Sequence, residues 1–143
     1  MQKISCSRMI LGGLLAGLVI NICEFLVDGH LLRDQWTAAL KNLGQPPLGA
    51  AATASFVVWG FLVGIAALWL YASLRPRLGP GPRTAVYAGI ALWIIGSLLP
   101  TLPAIGMHLF RYRLMGYDLA LTLVEMVAGT VIGAWLYKEP AAA

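Results

Sequence analysis

The sequence predicts an all-α membrane protein, with four antiparallel transmembrane helices and a short amphipathic surface helix in one domain spanning residues 1–143. Three observations predict it. Of the 143 residues, 59% are hydrophobic and 11% charged, against about 25% charged in a typical soluble domain. The hydrophobic residues gather into four runs, residues 9–27, 50–72, 85–107 and 115–137, each close to the ~20 residues that cross a hydrocarbon core of about 30 Å. Backbone amides in lipid must bond within their own segment, which makes each run a helix. The connections between runs carry most of the charges and several of the prolines.

The first run follows Lys3 and Arg8, as a signal peptide would, but no small-residue cleavage site follows it. Ile20, Asn21 and Ile22 precede Cys23, and Asn21 and Glu24 interrupt the end of the run. It is therefore expected to stay as a mature anchor. Cys6 lies before the membrane and Cys23 within it, so no disulfide joins them. After the run, Leu32, Trp36, Ala39, Leu40 and Leu43 recur at helical spacing. They predict a surface helix over residues 31–43, ended by Gly44 and by Pro46 and Pro47. This helix covers its own bundle, floats at the headgroups, or acts as a lid or partner-docking element.

The second run ends in a basic connection, residues 74–84, whose Pro76, Pro80 and Pro82 predict a stiff turn without helical continuity. Arg75, Arg77 and Arg83 suit anionic lipid or a phosphorylated ligand, and they also retain the loop in the cytoplasm. The glycines there lack the Gly-x-x-x-x-Gly-Lys-Ser/Thr order of a nucleotide loop. The third run meets Pro100 and Pro103, which should kink or end it.

A formal charge of +4 could suggest nucleic acid, but its distribution follows topology. Lys3, Arg8, Arg75, Arg77, Arg83 and Lys138 fall on one side, and Arg33, Lys41, Arg111 and Arg113 on the other. The bias places both termini in the cytoplasm. The lipid bilayer is the expected partner and nucleic acid is not.

Within the runs, Gly13 and Gly17, Gly60 and Gly64, and Gly129 and Gly133 are each spaced by four, the spacing that lets helix backbones approach closely. Two of these ridges continue into polar groups. On the first helix Gly13, Gly17, Asn21, Glu24 and Asp28 share a face, and on the fourth Asp118, Thr122, Glu125, Gly129 and Gly133 do so. At 1.5 Å per residue Asn21 and Glu125 both lie about 18 Å from the cytoplasmic end, which predicts an Asn21–Glu125 contact. No lysine or arginine lies inside a run to neutralise Glu125, so the neutral acid, held by Asn21 or a carbonyl, is expected. Two readings stand: a functional intramembrane acid, or polar glue worth about 0.6 to 2 kcal/mol per bond. Glu24, Asp28 and Asp118 are secondary, nearer the outer interface.

His30 and His108 both belong to the outer side, where imidazoles from two helices could ligate a haem or pigment. No Cys-x-x-Cys-His accompanies them, and no Ser/His/Asp set, paired-Cys site or His-Glu-x-x-His motif occurs. No catalytic residue, metal site or cofactor is therefore expected.

The segments Trp69 to Tyr71, Leu74 to Ala85, Gly89, Leu92 and Trp93, the closing Gly133 to Glu139, and the opening Gly12 to Asn21 with Glu24 resemble a family of small uncharacterised bacterial four-span membrane proteins. The resemblance covers nearly the whole chain. It implies a four-span fold in a bacterial inner membrane and no activity. Small four-span glutathione-transferring enzymes have a similar outline, but their intramembrane Glu-Arg signature is absent. The expected function is non-enzymatic: a structural or accessory subunit joining itself or a larger membrane complex through glycine-lined faces. The alternative is a small-molecule or proton-coupled carrier using Asn21, Glu24 and Glu125.

Overall fold

A computed structural model of the protein describes residues 5–137. Lys3, Lys138 and Glu139, which entered the topology and the resemblance, lie outside them. The described chain is all-α. Helix α1 spans Cys6–Leu26 and runs on as a π-helical turn, Val27–Leu31; α2 spans Arg33–Asn42 and α3 Ala50–Leu78. The third span is α4, Pro82–Trp93, a second π-helical turn, Ile94–Leu98, and α5, Leu99–Gly106; α6 spans Tyr112–Leu136. Four of these helical stretches are long and apolar enough to cross a membrane, and they pack together. Their outward side chains, among them Phe25, Leu62, Ile95 and Val124, are exposed and would meet acyl chains.

The bundle is organised around α1, which packs most closely on α3 and then on α6; α6 in turn packs on α4, and α3 on α4. Small residues make this geometry. Ala16, Ala67, Ala72, Ala85, Ala88 and Ala134 are buried in one cluster with Leu68 and two tyrosines, so helices approach on backbone rather than on long side chains. A second cluster lies at the opposite end, where Leu32 of the α1–α2 corner meets Leu114 and Met115 of α6.

The surface helix forms where the hydrophobic spacing places it, and it covers its own bundle. Trp36 and Ala39 pack on the second cluster, with the Trp36 ring edge-on to Phe110 at 5.5 Å. Gly44 ends α2 with φ of 68°. Gln45 N–H donates to Leu40 O and Gly44 N–H to Lys41 O, the paired bonds of a Schellman cap, which favours glycine at the left-handed position.

The second connection is a correction. The prolines were expected to deny residues 74–84 helical continuity, yet α3 carries Pro76 inside its last two turns and continues to Leu78. Pro76 cannot donate to the Ala72 carbonyl, so the helix loses one hydrogen bond there, and only two helical residues follow it. The turn shrinks to residues 79–81 and is held by side chains: Gly81 N–H donates to the Tyr71 hydroxyl and Thr84 Oγ1 to Gly79 O. Gly79 and Gly81 take φ of 83° and 134°, a backbone that side chains with a Cβ resist.

The third span is interrupted as Pro100 and Pro103 predict, but it does not end there. Its π-helical turn, Ile94–Leu98, comes just before Pro100, and α5 continues to Gly106. A proline ring clashes with the carbonyl four residues back, here Gly96. Widening the preceding turn accommodates the clash, and Leu99 N–H reaches back to Ile94 O. Beyond the turn α5 barely touches α6.

Candidate functional site

All six glycines of the three spaced pairs are buried, and all are used inside the chain. A Cβ on Gly13 would lie 2.6 Å from Ile65 Cα, and one on Gly17 2.7 Å from Phe61 Cα. A Cβ on Gly64 would strike Gly17 N and Gly13 O. The α1 pair therefore meets the α3 pair backbone to backbone. Gly129 and Gly133 meet the neighbouring stripe of α1, where a Cβ on Gly133 would lie 2.6 Å from Gly12 O and one on Gly129 3.0 Å from Ile20 Cγ1. Two further close-approach glycines, Gly12 and Gly89, have no glycine partner four residues away on their own helices, which is why spacing alone passes over them. Gly89 seats α4 on α6, at 2.9 Å from Val127 Cα by the same measure.

Asn21 lies on the α3 side of α1. Its Nδ2 donates to Gly17 O at 2.9 Å and to Val57 O at 3.2 Å, and its amide fills the space a Cβ on Gly60 would need. The expected contact with Glu125 is replaced by this one. At about 100° per residue, Asn21 stands about 100° round the helix from Ile20, which faces α6, whereas Glu24 stands about 40° from it. Glu24 is thus the α1 residue that belongs to the α6 seam.

The seam gathers four carboxyls. Glu125 on α6 is 2% exposed and lies close enough to Glu24, Asp28 and Asp118 to interact electrostatically with each. Glu24 in turn lies within electrostatic reach of Asp28. Glu24, Asp28 and Asp118 are half-buried. The Glu125 Oε1 atom is buried and has no hydrogen-bond partner. At the end of the bundle covered by α2, Asp28 accepts a bond from Trp36 Nε1 at 2.9 Å, tying α2 to the end of α1. Trp93 Nε1 donates to Leu119 O at 3.0 Å, fixing the third span beside Asp118.

The histidines stay local. His30 is exposed and its ring lies 5.3 Å from that of Phe25. Exposed His108, with φ of 52°, places Nδ1 2.7 Å from the Tyr112 hydroxyl. Among the described residues no group of three or more His, Cys, Asp or Glu is disposed to hold a metal ion. Two shallow open grooves, of about 400 and 440 Å³, are lined by Ala54, Ser55, Val58, Trp59 and Leu62 and by residues of α4 and α6 around Val127. None of the carboxyls lines either groove. At the end carrying the second connection, Arg75 lies over the Tyr137 ring at 5.4 Å, so the last turn of α3 and the end of α6 meet.

No family model, characterised protein or solved structure matches this chain. The likeness to the bacterial four-span family rests on the residues quoted for it.

The geometry of Asn21 gives a direct expectation. Gly60→Ala should displace the Asn21 amide and break its bond to Val57 O, and Asn21→Ala should remove the bond outright, each costing about 0.6 to 2 kcal/mol. Because both changes act on one contact, the double variant should be less destabilised than the sum by roughly 1 kcal/mol. Thermal unfolding of the four proteins in one detergent measures the cycle; strict additivity would separate Asn21 from Gly60.

Proposed function

We propose that the chain is a non-enzymatic subunit of a bacterial inner membrane assembly, with both termini in the cytoplasm, completed by a second copy or by a larger membrane complex. The observation that supports it is the outer half of the bundle, where α5 barely touches α6 and the first turns of α3 are exposed along residues 53–59. The glycine faces cannot serve this association, since α1, α3 and α6 consume them within the chain. The contact surface is instead the apolar outer side of α3 and α5. Native mass spectrometry from a mild detergent or nanodisc should recover a complex. Leu62→Trp, in the α3 groove, should weaken it while the monomer stays folded. Recovery of monomer alone would defeat the proposal.

The carboxyl seam favours a second reading, a proton-coupled carrier working through Glu24 and Glu125. Asn21 leaves that set, because its amide is spent on Gly17 and Val57.

A further inference from the structure

We propose that Glu125, Glu24, Asp28 and Asp118 form a one-sided proton-exchange path that opens at the end of the bundle covered by α2 and stops at Glu125. The proposal deepens the carrier reading and rests on the same carboxyls, but it requires no cargo.

The carboxyls are graded in depth and burial. Glu125 stands seven residues into α6 from Asp118, about 10 Å at 1.5 Å per residue, and Glu24 stands about 6 Å deeper than Asp28. The two shallow acids are half-buried, Glu24 likewise, and Glu125 is enclosed. Glu125 is more than another member of an acidic group. Its Oε1 is buried without a hydrogen-bond partner, leaving one acceptor at the bottom of the seam for a proton. A lone buried acceptor is costly until it is satisfied.

The surroundings admit a proton and little else. The ionisable groups that interact with Glu125 are Cys23, Glu24 and Asp28 from α1 and Asp118 from its own helix. No lysine or arginine is among them, and the indole of Trp36 on α2 is spent on Asp28. No three of these groups have the arrangement a metal ion needs. The transfer is balanced without another reactant: a proton leaves the Glu125 carboxyl for a Glu24 carboxylate, passes to Asp28 or Asp118, and leaves to water. The return reverses these steps.

The path is closed on its inner side by the packing itself. Below Glu125 the seam consists of Gly129, tight against Ile20 and Ala16, and then Gly133, whose backbone lies too close to that of Gly12 to admit a Cβ. The buried hydroxyl nearest that level, Thr130, already donates to Met126 O at 2.6 Å. Among the described residues no ionisable side chain of α1 between Arg8 and Cys23, or of α6 beyond Glu125, continues the seam toward the end that carries Arg75 and Arg83.

The test is infrared spectroscopy of the full chain in phospholipid vesicles, following the carbonyl stretch of protonated carboxyl groups and its shift on transfer to D2O. Glu125→Gln keeps the shape and should delete one such band; Glu24→Gln should shift it. Asp28→Asn with Asp118→Asn should retain the band and slow its deuterium shift by at least about tenfold. An unchanged band in Glu125→Gln, or an unchanged exchange rate in the double variant with the thermal transition preserved, overturns the path. Cargo-linked proton movement is a separate measurement in the same vesicles. Exchange without it removes the carrier and leaves the path, whereas the two overturning results remove the path itself.

Discussion

Gly64→Val should destroy the native bundle, with no folded protein recovered from membranes under conditions that yield the parent. Its first added atom would strike Gly17 N and Gly13 O, both backbone, and lie 2.6 Å from Gly17 Cα. A flexible side chain could swing aside, but two helix backbones can only separate. Overpacking of a close-packed interior costs about 1 to 3 kcal/mol, occasionally more. Here separation would also undo the approach of Gly13 to Ile65 and of Gly17 to Phe61, so the cost exceeds that range and approaches the whole stability of a small domain, about 5 kcal/mol or more. Gly116→Ala is the control. Its Cβ would meet nothing within 4 Å, and an alanine in a helix interior should add about 0.5 to 1 kcal/mol. Size-exclusion yield and thermal transitions of the two variants check the pair. A folded Gly64→Val protein would contradict the backbone contact between α1 and α3.

Most of the fold was legible because lipid imposes a simple rule: long apolar runs become helices, and spaced glycines become contact faces. Residues 9–27, 50–72, 85–107 and 115–137 each fall inside or within one residue of an observed helical span. What the rule cannot supply is the rotation of one helix against another. Gly13, Gly17, Asn21, Glu24 and Asp28 share a broad face in sequence, yet α1 sits between two partners and divides that face. Asn21 goes to α3, and Glu24 goes to α6. The rotation of α1 decided the contact. The extension of α3 through Pro76 was missed for another reason. A proline is costly in a helix interior and tolerable near its end, and the sequence does not announce where the end lies until the Tyr71 and Thr84 side chains are seen holding residues 79–81.

Trp36→Ala should release the surface helix while leaving the four spans assembled. The indole makes three attachments at once: it donates to Asp28, stands edge-on to Phe110, and packs on the cluster of Leu32, Leu114 and Met115. Removing a well-packed tryptophan costs about 3 to 5 kcal/mol, and half-burial of Trp36 places the expected loss near the lower figure. An isolated helix of 10 residues is too short to persist in water without such packing. Hydrogen exchange of the amides of Trp36–Lys41 should therefore rise by about two orders of magnitude, with little change in α1 or α6. Trp36→Phe keeps the packing and loses the hydrogen bond, so it should lie between, about 1 kcal/mol below the parent. Protection in α2 unaffected by either change would show that the helix is held by other contacts.

The central claim is that α1 turns Glu24, and not Asn21, toward Glu125. Solid-state NMR of the chain in lipid bilayers, with carbon-13 in Glu, Asn and Val side chains and carbonyls, measures it in one spectrum. The predicted result is a through-space cross-peak between the Glu24 and Glu125 carboxyl carbons together with one between the Asn21 side-chain carbonyl carbon and the Val57 carbonyl. A cross-peak from Asn21 to Glu125, with none between Glu24 and Glu125, would contradict the account.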